Sequence, residues 1–415
     1  MPVIRCLCRI IIGITFIYSG FVKGVDPLGS AYKFAEYFNA AGLGSMEGLA
    51  LFASFALSLT EFLIGIALLL NLCRRTAAVA AMLYMLFFTP LTLLLALTNP
   101  VSDCGCFGDA LTLTHWQSFG KNIVLLCLAW ITFASRKMEQ PALPPARQKG
   151  LLALYGIYLL AISLYSYRTI PLIDFRPYAI GKNILQGMQP PNGAESPSYR
   201  LTLFYKHVES GEVKAFTEDD YPWQDSAWTH ERTEQTLVQR GELPPIHDFI
   251  IDHPDEGDIT DEVLEDKRNT LLVVTRRVED VPAETQAKIN RLAYHLLDRG
   301  YNIYGLTSSA PESVRAHAKR YRVPYDICSS DDTQLKTMIR SNPGILILHE
   351  GTVIGKWSKR HIPEVSELAG ADLVTYCISR QQTRAEHWML LALLLLCWCT
   401  YRGKTSARNK VKYHP

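Results

Sequence analysis

Apolar positions divide the chain into two unlike parts. Residues 1–167 run in long stretches of Leu, Ile, Ala and Phe, whereas 168–385 read like a soluble domain. A helix that crosses a bilayer needs about 20 mostly apolar residues. Six stretches meet or approach that length: 3–22, 47–72, 76–98, 116–135, 150–167 and 386–401. Arg5 and Arg9 ahead of the first run resemble the start of a signal peptide. Ser19-Gly20-Phe21 offers no small-x-small cleavage site, so we expect a retained helix.

In the second part, residues 186–199 form a loop rich in Pro and Gly. Tyr199–Val208 alternates, turns at Ser210-Gly211 and continues into Val213–Thr217, which predicts a hairpin. The polar and aromatic stretch 218–245, with Trp223 and Trp228, predicts no element. From 246 onward, strands and helices take turns. Strands are expected over Phe249–Ile251, Thr270–Thr275 and Tyr301–Leu306, and helices over Glu284–Arg299, Pro311–Tyr321 and Asp332–Arg340. Ile345–Leu348 and Val353–Trp357 then flank the turn Glu350-Gly351. Such alternation predicts an α/β layer around a central sheet. The expected fold class is therefore an α-helical polytopic membrane bundle carrying one α/β extracytoplasmic domain.

Charge gives the spans a direction. Arg5, Arg9, Arg74, Arg75, Arg136, Lys137, Arg147 and Lys149 mark one side, and Arg402, Lys404, Arg408, Lys410 and Lys412 of the tail join them. The opposite loop, 99–115, has no Lys or Arg and holds Asp103 and Asp109. The positive-inside rule places both termini in the cytoplasm, with 99–115 and 168–385 outside. Six crossings satisfy every loop; five or seven do not. A net charge of +2 makes no case for nucleic acid, and the expected surroundings are the lipid bilayer of a bacterial inner membrane and its periplasm.

The chemistry concentrates in Asp103-Cys104-Gly105-Cys106-Phe107-Gly108-Asp109. Thiols on an oxidising exterior tend to be paired or redox-active. Two cysteines one residue apart close only a small ring, and a strained or exposed disulfide is easier to reduce than a structural one. Lys23, at the outer end of the first span, and Lys121, one turn into the fourth, can approach the loop and favour a thiolate. Glu61 lies within the second span, where an ionisable group is a functional candidate. Bland readings stand beside these. The Cys pair can be a permanent staple, Glu61 a structural hydrogen-bond partner, and the lysines can snorkel to headgroups. A metal site is disfavoured, because His115 is the single nearby His. Cys6 with Cys8, and Cys397 with Cys399, share the spacing but lie in apolar helices, where i and i+2 point apart. Cys328 and Cys377 are lone exterior cysteines with pairing left open.

Two resemblances sharpen this picture. Residues 1–135 resemble the MauE/DoxX family, a four-helix redox-associated membrane module. The likeness rests on Gly13, on Phe16-Ile17-Tyr18-Ser19-Gly20-Phe21 with Lys23 and Asp26-Pro27, on Glu61 with Gly65, on Cys104-Gly105-Cys106-Phe107-Gly108, and on His115-Trp116 with Lys121-Asn122. It implies thiol or disulfide handling at the outer membrane face. For MauE the implied role is helping a periplasmic partner acquire its disulfides, and for the wider DoxX group it is electron exchange with membrane quinone. Residues 246–368 resemble the thioredoxin-like fold of TlpA or peroxiredoxin type, through 248–252, Gly257, the strand 270–275 and Asn342-Pro343-Gly344, with Pro343 matching that family's cis-proline. The family's C-x-x-C belongs after the strand ending near Thr275. Here the chain reads Arg276-Arg277-Val278-Glu279-Asp280-Val281-Pro282, and without sulfur this site exchanges no disulfide.

The expected organisation is a membrane module (1–135), a cytoplasmic loop (136–149), a fifth span (150–167), an exterior linker and hairpin (168–245), the thioredoxin-like domain (246–368), a sixth span (386–401) and a basic tail (402–415). The expected function is an inner-membrane thiol–disulfide relay or accessory. Cys104 and Cys106 exchange with a periplasmic thiol/disulfide protein, Lys23 and Lys121 tune them, Glu61 moves protons or holds the helices, and the exterior domain docks the partner. The rival is a scaffold that binds a client and uses Cys-Gly-Cys as a staple; a transporter is the weaker third reading.

Overall fold

Inside lipid every backbone N–H and C=O must be satisfied within the protein, which is why long apolar runs become helices. The computed structural model describes residues 2–101, 103–138, 143–190, 198–217, 220–223, 225–239, 241, 244–247, 249–368, 373–380, 387–398 and 400. The chain begins with α1 (Pro2–Val25), α2 (Pro27–Ala40), α3 (Ala50–Leu70), α4 (Arg74–Thr98), α5 (His115–Ala134) and α6 (Pro145–Arg168). Among the described residues, five helices are long and apolar enough to cross a membrane: α1, α3 extended back to Gly44, α4, α5 and α6. The shorter α2 is not one of them, and the sequence reading did not anticipate it.

Helix α1 packs on α3 backbone to backbone. A Cβ at Gly20 would lie 2.5 Å from the Phe62 nitrogen, and one at Gly65 would lie 2.6 Å from the Ile17 nitrogen. Close approach through small residues is how helices associate where lipid gives no hydrophobic drive. The basic residues gather at one end of the bundle. Arg9 donates to the Leu68 carbonyl, Arg5 reaches Met138 Sδ at 2.7 Å, and Arg74 donates to the Ser135 carbonyl at 3.3 Å.

The last expected span is described as the apolar helix His387–Trp398, shorter than the other five. It runs antiparallel to α6. Met389 packs near Ile162 and Leu172, Leu396 packs with Tyr155 and Leu159, and Thr400 Oγ1 lies 3.2 Å from the Tyr155 hydroxyl. Cys399, the basic tail and residue 248 lie outside the described residues.

Beyond α6 comes the short helix α7 (Ile184–Gly187), then two sheets. The first holds β1 (Ser198–His207), β2 (Val213–Phe216) and β3 (Trp228–Gln239), all antiparallel in the order β2-β1-β3. Strand β3 falls where the sequence predicts nothing. Thr229 to Glu234 are exposed, so no apolar alternation marks it.

The second sheet is built from β4 (Asp252–His253), β5 (Gly257–Asp258), α8 (Thr260–Glu265), β6 (Asn269–Val274), α9 (Ala283–Leu297), β7 (Asn302–Thr307), α10 (Pro311–Tyr321), β8 (Asp326–Ser329), α11 (Asp332–Met338), β9 (Gly344–His349), β10 (Thr352–Ser358) and α12 (Leu373–Arg380). Its order is β10-β9-β6-β7-β8-β4-β5. Strands β6, β7 and β8 are parallel, and β9 and β10 return antiparallel. A parallel β6-α9-β7 unit beside an antiparallel β9-β10 hairpin is a thioredoxin-like arrangement, and the Asn342–Pro343 bond before β9 is cis. Phe249–Ile251 does not pair as the expected strand. Pairing begins at Asp252, while Phe249 and Ile251 are buried in the core beneath the sheet.

Side chains alternate between the two faces. Leu271, Val273, Ile345 and Ile347 pack with α9 and with Cys377 of α12, whereas Leu272, Val274, Leu346 and Cys328 pack with α11. Cys328 and Cys377 therefore sit on opposite faces of the sheet, which excludes the pairing left open by the sequence.

Candidate thiol site at the membrane surface

The cysteine loop links α4 to α5. Asn99 ends α4 in the left-handed region (φ 47°), and Thr114 caps α5 in a box closed by Gln117. Between these caps the chain turns back on itself. Gly105 and Gly108 hold φ of +60° and +52°, conformations that L side chains rarely adopt, and the Gly108 N–H donates to the Gly105 carbonyl at 3.1 Å. Asp103 Oδ2 accepts the Gly105 N–H at 3.0 Å, and His115 Nε2–H donates to the Val101 carbonyl at 2.8 Å. His115 thus braces the loop through that nitrogen.

Helix α2 lies over this loop. Its start is written in Asp26-Pro27, an N-cap acceptor followed by proline at the first helical position, and Asp26 Oδ1 accepts the Gly29 N–H at 3.0 Å. One turn apart on one face, Lys33 pairs with Asp103 at 2.7 Å and Tyr37 donates to the Cys104 carbonyl at 2.7 Å. From α1, Ser19 donates to the Cys106 carbonyl at 2.7 Å. Both cysteine carbonyls are thereby pinned by hydroxyls. Burial works against the Lys33 ammonium, but the hydrogen bond and charge of Asp103 outweigh it and raise its pKa.

The two thiols differ in character. Cys104 Sγ lies 3.0 Å from Ser118 Oγ. Its hydrogen bond with the Cys106 thiol, that of Ser118, the Cys106 N–H and the charge of Lys121 together outweigh burial and hold Cys104 at about 6. Cys106 moves well above the ordinary thiol range, because its own hydrogen bond stabilises its neighbour's thiolate and because it is buried. Lys121 sits 4.4 Å over the Phe107 ring. Lys23 and Glu61 form a buried ion pair at 2.5 Å. Asp103 pairs with Lys33 at 2.7 Å and Asp109 with Arg340 at 2.8 Å.

Arg340 follows α11 in the thioredoxin-like domain. Its side chain is 5% exposed and donates to Asp26 Oδ2 and Asp109 Oδ2, each at 2.8 Å. Burial alone would raise the Asp26 carboxyl, yet the charges of Arg340 and Arg176 hold it below its ordinary value. Asp109 rises instead, since burial outweighs the pull of Arg340. One guanidinium thus ties the thioredoxin-like domain to the start of α2 and to the cysteine loop.

Beneath the loop lies a cavity of about 630 Å³. Phe34, Phe38, Tyr84, Phe88 and Leu91 supply apolar wall, and Cys104, Cys106, Lys23, Glu61 and Lys121 also line it. Large apolar cavities with a few convergent polar groups are the usual form of small-molecule sites.

Comparison with known proteins finds matches to separate parts of the chain. Residues 1–135 match the family of methylamine utilisation protein MauE. They form a MauE domain. The match ends with α5, so α6, the two sheets and His387–Trp398 lie beyond it. Residues 199–240, which span the three-stranded sheet, match a domain of unknown function, DUF8463. No curated protein matches the chain. A Neisseria meningitidis protein described as a thioredoxin is similar at 14% identity and TM-score 0.26, covering 34% of this chain and 93% of its own. A Bacteroides thetaiotaomicron protein described as a protein disulfide isomerase is similar at 18% identity and TM-score 0.25, covering 34% and 91%.

The structure brings Lys23, Glu61, Asp103, Asp109 and Lys121 around Cys104 and Cys106, and it places Pro343 near Arg340 in the other domain. Sequence reasoning missed Ser19, Lys33, Tyr37, Ser118 and Arg340. The signals available were the Asp26-Pro27 helix start, the i, i+4 spacing of Lys33 and Tyr37, and Ser118 one turn before Lys121.

Proposed function

We propose that this protein is a thiol–disulfide relay of the bacterial inner membrane, with both termini cytoplasmic and residues 168–385 periplasmic. It exchanges disulfides between a periplasmic protein and a lipid-soluble carrier of the quinone class. The observation that carries the reading is the pair itself: adjacent thiols of opposite acidity, pinned at both carbonyls, beside a cation and lining an apolar cavity. The gathering of basic residues at the other end of the bundle supports the orientation.

With the pair reduced, the Cys104 thiolate attacks one sulfur of the partner's disulfide, and the partner's other sulfur leaves as a thiolate. Cys106 then gives up its proton and attacks Cys104 Sγ, releasing the partner's second sulfur. Two electrons pass to the partner, and a Cys104–Cys106 disulfide remains. A quinone-class carrier held by the apolar wall of Phe34, Phe38, Tyr84, Phe88 and Leu91 would supply, in its quinol form, the two electrons and two protons that return this disulfide to the dithiol. Every step is reversible through the same mixed disulfide on Cys104, so the same groups serve oxidation of a partner dithiol. The Lys23–Glu61 pair lines the cavity where those protons are exchanged. The thioredoxin-like domain has no sulfur after β6 and takes no part in exchange.

A stabilised thiolate favours the reduced form and makes the disulfide a better oxidant. In glutathione buffers, the full-length protein is expected to lose its Cys104–Cys106 disulfide at potentials above roughly −300 mV, where structural disulfides persist. Mass spectrometry of the loop peptide reads the outcome. A pair that stays oxidised below that potential is a staple and overturns the relay.

A further inference from the structure

The thioredoxin-like domain presents to α2 the region where its relatives carry a dithiol. That region comprises Arg276 at the end of β6, the end of α11 and the loop at Pro343, and the Arg276 N–H is tied to Asn342 Oδ1 at 2.9 Å. In place of sulfur it offers cations. Arg276, Lys336 and Arg340 lie 5.6, 5.4 and 5.4 Å from the ring centre of Tyr32 on α2. Cations over an aromatic face attract it, more strongly when water is excluded. Arg340 also holds Asp26, at the start of α2, and Asp109, at the end of the cysteine loop.

Helix α2 is thus clasped on both sides. Toward the membrane it covers the thiol loop through Lys33 and Tyr37, and the Lys33 stem lies against Gly105, where an added Cβ would meet its Cγ at 3.3 Å. Away from the membrane it is held by the cationic face. In this arrangement the cysteines line the apolar cavity, while α2 stands between them and a macromolecule in the aqueous phase.

We propose that the sulfur-free face of the thioredoxin-like domain is a latch, holding α2 closed over Cys104 and Cys106 so that the pair meets the lipid-side cavity or, once the latch opens, a periplasmic protein. This rests on the relay reading, whose two clients it separates. Arg340 is the pin, since it alone bonds both the start of α2 and the cysteine loop among the residues described here. Opening trades a buried, fully engaged guanidinium for a hydrated one, so the closed and open forms lie close enough for a docking protein to shift the balance.

The test compares two alkylating reagents on full-length protein in liposomes at pH 8, with modification of the Cys104 peptide read by mass spectrometry. One reagent is a bulky, charged maleimide confined to water, and the other a small apolar maleimide that enters the bilayer. Arg340→Gln is expected to raise the rate with the charged reagent roughly tenfold, because the open form gains population, and to leave the apolar rate nearly unchanged. Tyr32→Ala should act in the same direction without stranding a buried charge, and it decides the matter if Arg340→Gln does not fold. Equal acceleration by both reagents would mean that the loop has simply unravelled. That result, or no change with the charged reagent in a folded variant, overturns the latch. Neither labelling rate depends on a partner. A latch that opens while no partner adduct ever forms on Cys104 overturns the relay alone, and an adduct with unchanged labelling overturns the latch alone.

Discussion

Removing the Ser118 hydroxyl probes the asymmetry of the thiols most selectively. Ser118 lies 3.0 Å from Cys104 Sγ and donates to it once the thiolate forms. A hydrogen bond to a charged group contributes about 1.5–3 kcal/mol, and ~1.4 kcal/mol corresponds to one pKa unit. Ser118→Ala should therefore move Cys104 from about 6 upward by about one unit or more. The sign follows from the charge state: losing a donor disfavours the thiolate, so reactivity appears at higher pH.

The absolute rate is a poor readout. At pH 7 a thiol of pKa about 6 is roughly 90% thiolate, against ~3% for an ordinary one near 8.5. Its lower nucleophilicity, with a Brønsted coefficient near 0.45, takes back about thirteenfold and leaves only a ~twofold advantage. At pH 5 the same arithmetic leaves roughly twentyfold. The assay is the pH profile of iodoacetamide reaction at Cys104, from pH 4.5 to 9.5, in purified full-length protein. The wild type should inflect near 6 and Ser118→Ala near 7 or above. A wild-type inflection at the ordinary thiol value, or a variant that does not move, refutes the reasoning.

Two further outcomes follow from the bundle. Lys23→Met or Glu61→Gln alone should cost about 3–5 kcal/mol, because each strands a buried partner, while Lys23→Met with Glu61→Leu should recover most of it; thermal unfolding in detergent measures this, and silent single variants would show that the pair is solvated. A membrane-impermeant thiol reagent applied from the periplasmic side should label a cysteine introduced at Ser226 but not one at Ser406, and labelling of both from that side would overturn the proposed orientation.

Much of this architecture was legible in the residues. Five helices long and apolar enough to cross a membrane show themselves because lipid demands long apolar runs, and the thioredoxin-like sheet shows itself because buried strands such as Thr270–Thr275 and Ile345–Leu348 are continuous and apolar. What escaped was structure held by something other than apolar pattern. Helix α2 carries Tyr32, Lys33 and Tyr37 against polar partners, and β3 is exposed along much of its length. Phe249–Ile251 was apolar for burial under a sheet edge, not for pairing. The cysteine pair was plain from its spacing and glycines. Its electrostatics were not, since the Ser118 hydroxyl and the Lys121 charge meet Cys104 only in the fold, and Arg340 reaches Asp26 and Asp109 across more than two hundred positions of chain. Only the folded chain unites such groups.

The central claim is that Cys104 carries the exchange and Cys106 resolves it. Cells bearing Cys106→Ala, quenched in acid, should accumulate a covalent adduct between Cys104 and a periplasmic protein that disappears on reduction. Cys104→Ala should trap far less, because burial still disfavours the Cys106 thiolate and the Ser118 hydroxyl lies against Cys104 rather than Cys106, and the double variant should trap nothing at this loop. Equal trapping by both single variants would contradict the assignment of roles, and no adduct in either would contradict the relay itself.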